Sequence, residues 1–165
     1  VDEGASYEQP DQLFLYGETG FLDVSQRLGE AWSEPRVSRG LVPGDYDNDG
    51  DEDLLITSSG GAPRLLRNNL ETSNWLVLEL HADAAGNRQG LGSRIRVELP
   101  DATLYRQLHS GGSYLAGRSR RIHVGLGTWS AALITVLWPG GGVDTWNLPS
   151  GSHVLIQGST DTSAP

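Results

Sequence analysis

The feature that most constrains the fold is a strict two-residue alternation that recurs through the second half of the chain. In residues 74–81, Leu76, Leu78 and Leu80 fall on one face, with Glu79 and His81 on the other. In 93–99, Ile95, Val97 and Leu99 point one way and Arg94, Arg96 and Glu98 the other. Residues 121–126 repeat the pattern with Ile122, Val124 and Leu126. A period of two belongs to a pleated strand with one dry and one wet face. Residues 132–138 are apolar on both faces and are predicted to form a central strand. Pro139-Gly-Gly-Gly turns that strand into 143–148, and Pro149-Ser-Gly-Ser turns the chain again into 153–157.

The first half carries shorter runs. Residues 13–16 and 21–24 flank Gly17-Glu18-Thr19-Gly20 and read as a hairpin. Residues 53–57 and 64–67 are two further apolar runs, separated by Ser58-Ser59-Gly60-Gly61. No segment carries a helical period. Gly is 22 of 165 residues, which suits many tight turns. The expected fold is all-β: one propeller-blade-like antiparallel sheet, then a small antiparallel β-sandwich. The expected division is 1–70, 71–158, and a flexible tail over 159–165.

Composition removes several chemistries. There is no Cys, so thiolate nucleophiles, zinc–thiolate sites and disulfides are excluded. All 12 basic residues are Arg, which excludes Schiff-base lysines and a P-loop lysine. No run approaches the 18 or so apolar residues of a membrane span. The absence of Met, even at position 1, is expected of a chain that starts after cleavage or belongs to a longer product. Net charge is −9 and uneven. Residues 1–53 hold 14 acids against three Arg, and 54–165 hold seven acids against nine Arg. An acidic front argues against nucleic-acid binding and permits head-to-tail contact between copies.

Residues 45–53 read D-Y-D-N-D-G-D-E-D. This places carboxylates at loop positions 1, 3, 5 and 9 and glycine at 6. Calcium takes about 6–8 oxygens, and a chain curling round it presents alternate side chains inward. Asp45, Asp47 and Asp49 are predicted to converge, Gly50 to supply the bend, Asp51 to offer its backbone carbonyl, and Asp53 to close the shell. Magnesium, which keeps its waters, suits this loop less. An EF-hand is not expected: Ile56 stands where the closing Glu belongs.

Other features are weaker. His81 and His123 fall on polar strand faces, and His109 and His153 occupy no metal-ligand spacing. Ser110-Gly111-Gly112-Ser113 lacks the nucleophile-elbow pattern, and Gly90-Leu91-Gly92 opens a strand rather than a helix. Catalysis is therefore not expected, and a filled aspartate shell leaves no open position for a metal-bound water. Arg94, Arg96, Arg118, Arg120 and Arg121 form a candidate docking surface for an acidic partner. Trp32, Trp75, Trp129, Trp138 and Tyr114 read as core, with sugar stacking as the alternative.

The run from Leu13 through Gly20-Phe-Leu-Asp-Val, the D-x-D-x-D-G loop with its flanks 38–57, and Pro63-Arg-Leu-Leu-Arg-Asn-Asn together resemble an FG-GAP/VCBS-type repeat. The remainder resembles an ASPIC/UnbV domain through Asn74-Trp-Leu, 90–97, 110–115, His123-Val-Gly-Leu-Gly and Val136-Leu-Trp-Pro-Gly-Gly. The first resemblance implies a propeller blade of the integrin-α kind with calcium in its loop. Together they imply extracellular, calcium-dependent adhesion or structure and no established catalysis. One calcium motif means about one blade, whereas propellers close with typically 4–8. The expected function is a secreted or cell-surface, non-enzymatic, calcium-binding structural or adhesive protein that self-associates, plausibly into a filament. The alternative is a fragment of a receptor-like protein whose β domains bind a glycan or protein ligand.

Overall fold

The computed structural model describes residues 6–70, 74–83 and 87–159, and the backbone of 162–163. It is all-β, as the alternation requires. The first hairpin is β1 (Phe14–Gly17) and β2 (Gly20–Asp23), closed by Glu18-Thr19. A turn of 3₁₀ helix, Ser25–Arg27, and a four-residue helix α1, Glu30–Ser33, follow. Neither is expected from the sequence: one turn of helix is too short to carry a period. Then come β3 (Ser38–Gly44), β4 (Asp53–Ser58) and β5 (Gly61–Leu66), a three-stranded antiparallel sheet in chain order. The acidic loop joins β3 to β4 with Gly44 opposite Asp53. The hairpin β1–β2 is a separate sheet, so the expected blade-like sheet has three strands with the hairpin beside it.

The second half is a sandwich of two four-stranded sheets. One holds β7 (Arg94–Glu98), β8 (Thr103–Gln107), β10 (Ala131–Leu137) and β11 (Val143–Pro149), in the order β11-β10-β7-β8. The other holds β6 (Trp75–His81), β9 (Ile122–Gly125), β12 (Gly151–Ile156) and β13 (Thr162–Ser163), in the order β13-β12-β6-β9. Strand β10 is central, in accord with its two apolar faces. All pairs are antiparallel except β12 with β6, which run parallel because the chain changes sheet after Pro149. Ser150 fixes that corner: its hydroxyl donates to the Trp75 carbonyl and accepts from the Trp75 N–H, 3.0 and 3.1 Å away. The segment expected to be a free tail contributes Thr162–Ser163 to the sheet edge, opposite Val154 and Leu155. Residues 160–161 and 164–165 of that segment lie outside the described residues.

The inward faces predicted from alternation form one core: Leu76, Leu78, Leu80, Ile95, Val97, Ile122, Val124, Leu126, Ile134, Val136 and Leu155 are buried in a single cluster. Trp138, Trp146 and Leu148 complete it. In the first half, only Val24, Trp32 and Ile56 are buried among the described apolar residues. The first half is thus poorly supplied with core. Its hairpin exposes apolar groups on both faces, Phe14, Leu15, Tyr16, Phe21 and Leu22.

Candidate metal centre

The β3–β4 loop is organised by its own carboxylates. Asp45 accepts from the Asp49 N–H at 3.2 Å and from the Gly50 N–H at 3.1 Å. Asp49 accepts from the Asp51 N–H at 3.2 Å. Short acidic side chains bonding backbone a few residues ahead produce such turns. Asn48 takes a left-handed φ of +60°, which Asn tolerates, and Gly50 sits at +96°.

The result brings Asp45, Asp47 and Asp49 together, each with one carboxylate oxygen within 4.8 Å of the others. Asp51 and Asp53 fall outside that trio, and both are buried, at 3% and 1% exposure. Asp53 braces the loop. It accepts from the Tyr46 N–H and the Asn68 N–H, both at 2.8 Å, tying the loop to its base and to the chain leaving β5. The loop spacing gives Asp51 a backbone role; its side chain is turned inward as well, with Oδ1 lacking any hydrogen-bond donor. Burial, and then the charges of Asp49, Asp53, Asp47 and Asp45, hold its carboxyl above the usual carboxylate range. Asp49 moves the other way, lowered first by the Asp51 N–H.

Both Asp47 oxygens are buried and accept no hydrogen bond. The Arg67 guanidinium stands 2.6 Å from Asp47 Oδ2 and 3.6 Å from Asp49 Oδ2, an ionic contact without hydrogen-bond alignment. Buried carboxylate oxygens without donors are the atoms that a hard, oxygen-seeking cation satisfies. The trio of Asp45, Asp47 and Asp49 therefore fits such an ion on geometry and on chemistry, and Asp51 adds a buried, donor-free oxygen to the same loop. Sequence reasoning misses Arg67; its one signal is its place directly after Leu66, where β5 returns to the loop.

The loop is seated on the sandwich. A Cβ built on Gly50 would lie 1.8 Å from the Trp75 indole nitrogen. The Gly50 carbonyl accepts from His123 Nε2 at 2.7 Å, and the His123 ring stacks on Trp75 at 6.4 Å and 21°. Trp75 and His123 are outward residues of β6 and β9, so an ordinary polar strand face becomes the platform for the acidic loop. His123, expected to be a plain surface residue, is a positioning group. His123→Ala is expected to lower stability by about 1 kcal/mol through loss of this bond, measured by urea unfolding. A second clasp holds β3. Ser113 Oγ accepts from the Leu41 N–H at 3.2 Å, and a Cβ on Gly40 would meet Thr57 Oγ1 at 2.8 Å and the Tyr114 carbonyl at 3.1 Å.

The five candidate docking arginines divide into two groups. Arg94 and Arg96 stand on the outer face of β7, beside Tyr105 and Leu137, and Arg96 pairs with Glu98 at 3.0 Å. Arg118, Arg120 and Arg121 lie in the segment before β9; Arg118 and Arg121 line a cleft with the acidic loop, and Arg120 lines a hollow with Glu79, His81 and Arg88. Arg121 is 3.8 Å from Glu79; among the described residues Arg118 and Arg120 form no ion pair. No helix among the described residues is long and apolar enough to cross a membrane. No curated protein matches the chain. Residues 83–163, which run from the end of β6 through β13, match the family model described as ASPIC and UnbV, bearing out that resemblance for the second half of the chain.

Proposed function

We propose that this chain is a non-enzymatic, calcium-binding structural or adhesive protein that acts outside the cell and self-associates. In this reading residues 1–70 are an FG-GAP/VCBS-type repeat. Asp45, Asp47, Asp49 and Asp51 would hold calcium, with Asp53 bracing the loop from beneath. Bound calcium would supply the positive charge that rigidifies the loop. The observation that carries the reading is the set of buried carboxylate oxygens, both of Asp47 and one of Asp51, that accept no hydrogen bond, with Asp47 Oδ2 meeting only the charge of Arg67.

Self-association is supported by the surface of the same half. The β1–β2 hairpin presents Tyr16 and Phe21 at 79% and 75% exposure, packed edge to face with each other and with nothing above them among the described residues. The β5 edge of the three-stranded sheet has no strand partner among the described residues and is available for pairing, whereas β3 is clasped by Ser113. The acidic front and the arginine-bearing back give complementary ends for a head-to-tail contact, which propagates unless it closes into a ring.

Light scattering and electron microscopy in calcium, then in chelator, test this directly. Oligomers or filaments in calcium are expected. Replacing Arg94, Arg96, Arg118, Arg120 and Arg121 by Glu should dissolve them, as should Phe21→Ser. A monodisperse monomer in both conditions overturns self-association.

A further inference from the structure

We propose that the cleft between the acidic loop and the outer face of β6 and β9 binds a sugar residue carrying a carboxylate. The cleft, 180 Å³ in volume, lies where Asp45 and Asn48 face Trp75, Arg118, Arg121 and His123. A second hollow of 260 Å³ shares Glu52, Arg118, Ser119, Arg121 and His123 with it, so the two are continuous along the 118–123 segment.

The lining specifies the ligand. Arg118 has no acidic partner among the described residues, and Arg121 meets Glu79 only at 3.8 Å. Two guanidinium groups lining one cleft select a planar, bidentate anion such as a carboxylate. The same lining includes Asp45 and Glu52, which accept hydrogen bonds and repel anions. A sulfate, with no donors, leaves those acceptors unused and adds charge beside them. A sugar acid satisfies both kinds of group: its carboxylate pairs with Arg118 and Arg121, and its hydroxyls donate to Glu52 and Asp45. Val77 and the part of Trp75 not covered by Gly50 and His123 add apolar surface to the lining, and Ser119 and Ser152 add hydroxyls. A peptide carboxylate brings no ring hydroxyls for Asp45 and Glu52. The inference stands on this cleft and requires neither calcium loading nor self-association.

The test is calorimetric titration of the full chain, in calcium, with a uronic-acid disaccharide and with its neutral counterpart in which each carboxylate is reduced to hydroxymethyl. The acid is expected to bind at least tenfold more tightly. Arg118→Ala and Arg121→Ala should each weaken it about tenfold and leave the neutral sugar unaffected. Arg27→Ala, on the 3₁₀ turn of the first half, should change neither. The indole N–H resonance of Trp75 should shift on titration. Failure of the acid to bind, or equal binding of acid and neutral forms, overturns the proposal. A separate calcium titration of the same sample keeps the two ideas apart: sugar binding without calcium binding refutes the metal centre alone, and the reverse refutes the cleft alone.

Discussion

Gly50→Ala should detach the acidic loop from the sandwich and lower stability by roughly 2–5 kcal/mol, from left-handed backbone strain and from overpacking together. Two physical terms coincide at this residue. Its φ of +96° is one that L side chains rarely adopt, and a Cβ there falls inside the Trp75 ring. The indole cannot yield cheaply. It is stacked on His123, which also holds the Gly50 carbonyl. Gly60→Ala separates the terms. Gly60 also has a positive φ, +74°, but a Cβ there meets nothing within 4 Å. Its replacement is expected to show the conformational term only, about 1 kcal/mol. Urea unfolding of the two variants, with the Trp75 indole resonance followed alongside, measures the difference. Equal losses would mean that the loop does not bear on the indole.

What the sequence reveals about this molecule divides along the line between periodic and singular contacts. The alternation of Leu76, Leu78 and Leu80, and of Ile95 and Val97, specifies the sandwich because each residue repeats the same instruction to bury one face. The apolar run 132–138 announces a central strand for the same reason, and the D-x-D-x-D-G spacing marks the convergent trio. The parallel pairing of β12 with β6 leaves no such trace, since turn residues after Pro149 fit a hairpin as well as a change of sheet. The platform is equally hidden. Trp75 reads as core and His123 as surface, but both sit on the outward face, and only the fold brings Gly50, 73 residues from His123, onto them. Arg67 reaches Asp47 through a hairpin rather than through spacing. The arginines that cluster along the chain separate in space, because β7 and the segment before β9 belong to opposite sheets. Short helical turns such as 30–33 fall below the length at which any period can be read.

The other large effect concerns calcium and should be confined to one half of the molecule. The sandwich has a continuous core of 17 buried apolar residues. The first half has three among its described residues, and the β5 edge of its sheet has no strand partner among them. Burial alone contributes little order there, and five aspartates in one loop oppose it by mutual repulsion. A cation binding only the folded loop stabilises it by about 2.7 kcal/mol when free ligand is a hundredfold above the dissociation constant. Hydrogen exchange in calcium and in chelator should therefore diverge by region. Amides of β3, β4 and β5 are expected to lose roughly a hundredfold in protection on chelation, as that free energy implies. Amides of β10 should keep theirs, because Ile134 and Val136 owe nothing to the loop. Asp47→Ala should reproduce the chelated pattern in the presence of calcium, since it removes the two carboxylate oxygens that no hydrogen bond satisfies. Loss of protection in both halves together would make the molecule one cooperative unit joined through Trp75 and His123. No change in either half would sink the metal centre, and would leave the hairpin and the β5 edge to be stabilised by a neighbouring copy alone.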